Sequence, residues 1–114
     1  MSELTQKSCK PMEKGTPPLS ADDAGTLARQ IHSDWQVQQE PPEINRTFKF
    51  KNYYHTMAFV NAVAWIANQE DHHPDLEVTY NRCVVHFSTH SIGGISENDF
   101  ICAAKVDALF NNPA

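Results

Sequence analysis

No apolar run in this chain approaches the roughly 20 residues that a membrane-spanning helix requires. The first fifteen residues are polar and lack the apolar centre of a secretory leader. Basic residues are scarce: 9 Lys and Arg stand against 14 Asp and Glu, for a net charge of −5. That balance disfavours general binding to nucleic acid or to an anionic membrane, which needs a basic face. The three cysteines, Cys9, Cys83 and Cys102, form no CxxC pair, and their odd number argues against a disulfide framework. A reducing, cytoplasmic setting is therefore expected. There is no HExxH, the commonest helical zinc signature, and no GxSxG nucleophile elbow. Neither a metal centre nor a serine or cysteine nucleophile is expected. What remains is enough apolar material, 40% of the 114 residues, for one domain with a real core.

Residues 1–18 carry Pro11, Gly15, Pro17 and Pro18 and almost no apolar periodicity, so they read as a flexible or loosely docked arm. Residues 19–114 read as a single domain. Ser20 caps a first helix, with Asp23 at the capping-box position and Ala24, Leu27, Ala28 and Ile31 on one face. Trp35 and Val37 mark a short strand. After Pro41-Pro42, Ile44, Phe48 and Phe50 mark a second over 44–50. From Asn52 to about Gln69 the period becomes helical, with Phe59, Val63 and Ile66 in one stripe. Pro74 disfavours helical geometry at His73, which ends that helix near Asp71. Leu76, Val78 and Tyr80 alternate, as do Cys83, Val85 and Phe87, with a turn predicted at Asn81-Arg82. Ser96, with Asp99 three residues on, caps a last helix that runs to about Phe110. The order α-β-β-α-β-β-α, with short connections, predicts an α+β fold: a four-stranded antiparallel sheet with three helices on one face. The edges and open face of such a sheet favour a dimer or higher oligomer.

Three of the six histidines lie in two short segments, Asp71-His72-His73-Pro74 and Ser88-Thr89-His90-Ser91. Histidine is the only side chain whose ordinary pKa lies near neutrality, so imidazoles meeting in one cleft suggest either proton transfer or a metal site, and the missing zinc signatures favour the first. If strands 76–80 and 82–88 form a hairpin, His90 returns beside His72 and His73. Neighbours in an extended segment point to opposite sides, so His72 and His73 are expected to do different jobs. The blander readings are plain: a His beside Pro is usually a loop residue, and Asp99 is first a helix cap. His32 and His55 read as surface residues, and His86 as lying on the solvent or interface face of a strand. Trp35 and Trp65 read as core or interface, and Cys83 and Cys102 as buried thiols.

These segments, with Phe48-Lys49-Phe50-Lys51-Asn52-Tyr53-Tyr54, the helix through Ala58–Val63, Tyr80-Asn81-Arg82 and Ile95–Phe100, resemble the pterin-4a-carbinolamine dehydratase family over about residues 20–110. The polar arm with Cys9 looks more like bacterial members. The resemblance implies loss of water from 4a-hydroxytetrahydrobiopterin to give quinonoid dihydrobiopterin. That reaction recycles the cofactor of aromatic amino acid hydroxylases such as phenylalanine hydroxylase. It implies no metal or organic cofactor, and a homodimer or homotetramer. It makes His72 and His90 the acid–base pair and gives His73 the pterin to orient. Asp71, Pro74, Ser88, Thr89 and Ser91 would line the substrate site, with Asp99 supporting a histidine. Asn68 stands where the family often carries an acidic residue, so a helical carboxylate partner four residues before His72 is missing. The resemblance also admits a non-catalytic dimerisation role in transcription, or a paralogue acting on another pterin in molybdopterin metabolism.

Overall fold

The computed structural model describes residues 3–111. Residues 1, 2 and 112–114, at the outer ends of the expected arm and domain, lie outside the described residues. After a 3-10 turn over Glu3–Gln6, the elements are α1 (Ala21–Ala28), β1 (Gln36–Gln39), β2 (Pro42–Lys49), α2 (Tyr53–Glu70), β3 (Asp75–Val78), β4 (Arg82–Phe87) and α3 (Glu97–Asn111). The strands form one antiparallel sheet in the order β1-β2-β4-β3. The expected α+β architecture and element order are those observed.

The period-two pattern decides which sheet face is buried. Ile44 and Phe48 of β2 and Cys83, Val85 and Phe87 of β4 are all at most 1% exposed. They pack against Phe59 and Val63 of α2 and Phe100, Ile101 and Val106 of α3. Each helix start is satisfied locally. Ser20 Oγ accepts from Asp23 N–H at 3.1 Å, and Asn52 Oδ1 accepts from His55 N–H at 2.9 Å.

Two details differ from the sequence reading. First, α1 stops at Ala28, before Ile31, because Asp107 Oδ2 accepts the His32 backbone N–H at 3.0 Å and turns the chain toward Trp35. Second, β3 ends at Val78 and the hairpin turns at Tyr80-Asn81, one residue early. Thr79 N–H bonds Arg82 C=O at 2.9 Å, and Asn81 needs no positive φ. Of the two tryptophans expected in the core or at an interface, Trp35 is in the core and Trp65 is 65% exposed.

An arginine sits at an inward position of β2. Arg46 is 4% exposed and donates to Asp107 Oδ1 at 2.6 Å, with its guanidinium 4.3 Å from the Phe48 ring centre. Trp35 Nε1 donates to the same oxygen at 2.7 Å. One carboxylate thus joins β2, α3 and the segment before β1.

On the other sheet face, His86 lies between two carboxylates. Its Nδ1 is 2.6 Å from Glu43 Oε2, and its Nε2 meets Glu77. Partial burial opposes its charge, but the hydrogen bonds and charges of Glu43 and Glu77 outweigh that and raise its pKa above the ordinary value. A group whose folded pKa is raised stabilises the fold fully below its unfolded pKa, near 6.5, and ceases to as pH rises through the folded value. The Tm difference between wild type and His86→Gln is therefore expected to be largest below about pH 6 and to shrink by pH 9. A pH-independent difference in thermal melts would contradict this ion-pair account.

Candidate active site

The site is built where α2 ends. Pro74 cannot continue a helix, and Asp71 leaves it with φ 51°, ψ 44°, the left-handed conformation. The backbone N–H groups of Asp71 and His72 both return to Ala67 C=O. A residue with Cβ pays about 1–2 kcal/mol in this conformation, least for Asp and Asn, which can bond locally. Asp71→Val is therefore expected to melt lower than Asp71→Gly by roughly 1–2 kcal/mol of stability, measured by denaturant titration.

The left-handed turn sends His72 inward. Its imidazole lies flat against Phe87, with ring centres 5.9 Å apart and 8° between planes. Its Nε2 is 2.6 Å from Asp99 Oδ1, and the side chains of His72 and Asp99 are 11% and 0% exposed. The other oxygen of Asp99 accepts from Thr89 Oγ1 and from Ser96 N–H, both at 2.9 Å. Asp99 is therefore at once the capping-box carboxylate of α3 and the partner of His72. An ionised carboxylate only accepts, so a neutral His72 carries its proton on Nε2 and keeps the Nδ1 lone pair.

His73 points elsewhere, as neighbours in an extended segment should. It is exposed, and its Nε2 meets Asn68 Oδ1 at 3.3 Å. The position read as lacking a carboxylate for His72 thus serves His73. The left-handed residue between them turns the chain, so the i,i+4 helical rule no longer applies.

His90 is not brought into the same cleft as His72. The β4 alternation carries on past its end: Phe87 and Thr89 are buried, while Ser88 is half-buried and His90 exposed. His72 and Asp99 meet Phe87 and Thr89, so Ser88 and His90 fall on the opposite parity. His72 lines a cleft of about 320 Å³ with Gln69, Glu70, Asp71, Thr89, Ser91, Asn98 and residues 9–12. His90 lines a second, of about 300 Å³, with Pro41, Pro42, Asp75 and Ser88. Thr89 belongs to both clefts, and the register that pairs Asp75 with His86 sets the two segments side by side. Beyond Thr89 the chain makes a 3-10 turn, His90–Ile92, closed by Gly93 at φ 64°. A Cβ on Gly94 would stand 2.6 Å from Pro18 Cβ, so only glycine fits where this loop meets the arm.

The arm residues in the His72 cleft were invisible to sequence reasoning. They are docked through main-chain bonds to Glu70, Ser91 and Asn98, described below. The Cys9 N–H and the Lys105 ammonium outweigh burial and keep the Glu70 pKa below the ordinary carboxylate value. Cys9 Sγ lies 3.5 Å from Cys102 Sγ. That contact, with burial, raises the pKa of Cys102, and burial alone raises that of Cys83 to about 11. Both are protonated near neutrality and make poor nucleophiles. Among the described residues, no three His, Cys, Asp or Glu side chains are grouped to hold a metal ion, and no helix is long and apolar enough to cross a membrane.

A buried carboxylate holding an imidazole on the wall of a cleft is an arrangement able to give or take a proton. Comparison with known proteins narrows the class. The family model described as "Pterin 4 alpha carbinolamine dehydratase" matches residues 17–109. The chain is 59% identical to a protein of Nitrosomonas eutropha over 94% of this chain and 93% of that one. A Legionella pneumophila protein is 52% identical over 95% of this chain and 96% of that one. Both are provisionally named pterin-4-alpha-carbinolamine dehydratases. A crystal structure named as a transcriptional coactivator/pterin dehydratase from Brucella melitensis matches with TM-score 0.76 and 33% identity, over 81% of this chain and 97% of that one. A pterin dehydratase-like protein described as a RuBisCO assembly factor in the alpha-carboxysome matches with TM-score 0.61 and 26% identity, over 73% of this chain and 99% of that one. The chain belongs to the pterin-4-alpha-carbinolamine dehydratase family.

Proposed function

We propose that this protein removes water from 4a-hydroxytetrahydrobiopterin to give quinonoid dihydrobiopterin. The observation that carries the reading is the His72–Asp99 pair, an imidazole fixed by a buried carboxylate on the wall of a cleft. In the reaction the C4a–O bond breaks and the electron pair of the neighbouring ring nitrogen forms a C=N bond. The hydroxyl leaves with an added proton, and the nitrogen loses its own. One group must donate and another accept, and each placed histidine typically contributes about 10²–10⁴-fold.

In this reading His72, held in one tautomer by Asp99, exchanges one of these protons. His90, across Thr89, handles the other, and His73 orients the pterin. Asp71, Thr89 and Ser91 line the His72 cleft and Ser88 the His90 cleft, and Pro74 follows His73 at the end of the same segment. The reaction needs no metal or organic cofactor. The product returns to an aromatic amino acid hydroxylase in the cytoplasm, and the enzyme works as a homodimer or homotetramer. The exposed Trp65, Tyr54 and Tyr80 offer apolar surface for such association.

The assembly-factor relative supports a second reading, a scaffold on the same fold. A scaffold would keep its partner when His72 is replaced, whereas the dehydratase would lose turnover with its oligomer intact. Stopped-flow absorbance of freshly generated 4a-hydroxytetrahydropterin, with size-exclusion of the same variants, distinguishes them.

A further inference from the structure

We propose that the arm segment Cys9–Met12 is a wall of the substrate cleft, and that Asn98 is the positioning residue that holds it there. The proposal rests on the dehydratase reading above. Cys9, Lys10, Pro11 and Met12 line the roughly 320 Å³ cleft together with His72.

The arm is fixed by main-chain bonds. Asn98 Oδ1 accepts from Lys10 N–H at 3.0 Å, and Asn98 Nδ2 donates to Lys10 C=O at 2.7 Å. An amide side chain thus copies the pairing of a neighbouring strand. Cys9 N–H donates to Glu70 Oε1 at 2.8 Å, and Ser91 Oγ donates to Met12 C=O at 2.9 Å. Each anchor is the chain neighbour of a candidate site residue: Glu70 of Asp71, Asn98 of Asp99, Ser91 of His90. The arm is therefore registered against the very backbone that carries the chemistry.

Packing alone does not require this arrangement. Leu4, 1% exposed, already ties the beginning of the arm to the core. Asn98 is 4% exposed and spends both ends of its amide on Lys10, next to the cleft. The chemistry of the wall suits the proposed ligand. A pterin is a flat bicycle with a polar edge, and small-molecule sites bury most of such a ligand between apolar surfaces and a few polar groups. Gln69, Glu70, Asp71, His72 and Thr89 supply polar lining, while Pro11 and Met12 supply apolar surface.

The test compares wild type, Asn98→Ala and Met12→Ala in the stopped-flow dehydration assay. Binding of biopterin is followed in parallel by calorimetry. Asn98→Ala undocks the arm in part, so KM and the biopterin Kd are expected to rise about tenfold while kcat stays within about twofold. Met12→Ala, which removes only wall surface, should raise both constants severalfold. Hydrogen exchange at the Cys9, Lys10 and Met12 amides should slow on biopterin binding in wild type. Unchanged KM and Kd in both variants of an active protein, with exchange indifferent to biopterin, would overturn the wall alone. A folded wild type that neither turns over the carbinolamine nor binds biopterin would overturn the dehydratase reading and the wall with it.

Discussion

His72→Ala is expected to lower the kcat of dehydration by about 10²–10⁴-fold, the range of a single general acid or base. The oligomer and the sheet should remain. Of the three candidate imidazoles, His72 alone is held by a buried carboxylate, sharing Asp99 with Thr89 Oγ1 and Ser96 N–H. A group whose orientation and tautomer are fixed before substrate arrives has no reorganisation to undergo in the transition state. His73 meets only the amide of Asn68, and His90 is exposed at the neighbouring cleft. Asp99→Asn gives a complementary result. The amide nearly keeps the shape, but its N–H donates where the carboxylate accepted, which favours the other tautomer of His72. Turnover should fall with little change in KM. Rate measurements beside thermal melts of each variant separate this loss from unfolding.

The largest effect on stability is expected away from the cleft. Asp107→Ala should cost about 3–5 kcal/mol, the usual consequence of removing one partner of a buried ion pair. The substitution leaves Arg46, 4% exposed, with its charge under Phe48 and Phe110 and its strongest acceptor gone. It also orphans Trp35 Nε1 and the His32 backbone N–H. Arg46 Nε has no hydrogen-bond partner even with Asp107 present. Replacing the pair together, as Arg46→Met with Asp107→Leu, should cost far less than Asp107→Ala, because two desolvated charges leave at once. Urea titrations of the single and double variants measure the difference. Equal losses would mean that the pair itself is net stabilising.

The residues that broadcast the fold are those whose effects are local. Pro74 marked the end of α2, Ser20 and Ser96 marked helix starts, and the alternation of Cys83, Val85 and Phe87 marked β4. The inward Arg46 was passed over between Ile44 and Phe48, because an ion pair 61 positions apart leaves no periodic trace. The HHP and STH segments identified where the site would be, but not how it is divided. The hairpin path alone returns His90 beside His72. The period-two alternation beyond Phe87 puts Thr89 inward and His90 outward, and a single left-handed residue at Asp71 decides that His72, not His73, reaches Asp99. The docking of the arm was illegible for a different reason. It depends on backbone N–H and C=O groups meeting Asn98, Glu70 and Ser91, and backbone partners carry no residue type to read. The dual part of Asp99 was legible in outline: its spacing from Ser96 gives the cap, the resemblance gives a supported histidine, and the fold identifies that histidine as His72.

The central claim is tested most directly by stopped-flow absorbance of 4a-hydroxytetrahydropterin generated in the presence of wild type, His72→Ala and Asp99→Asn. The account predicts clear acceleration over the uncatalysed loss of water by wild type and a steep fall in both folded variants, with His72→Ala the lower. A folded His72→Ala that keeps kcat within about threefold of wild type would contradict it.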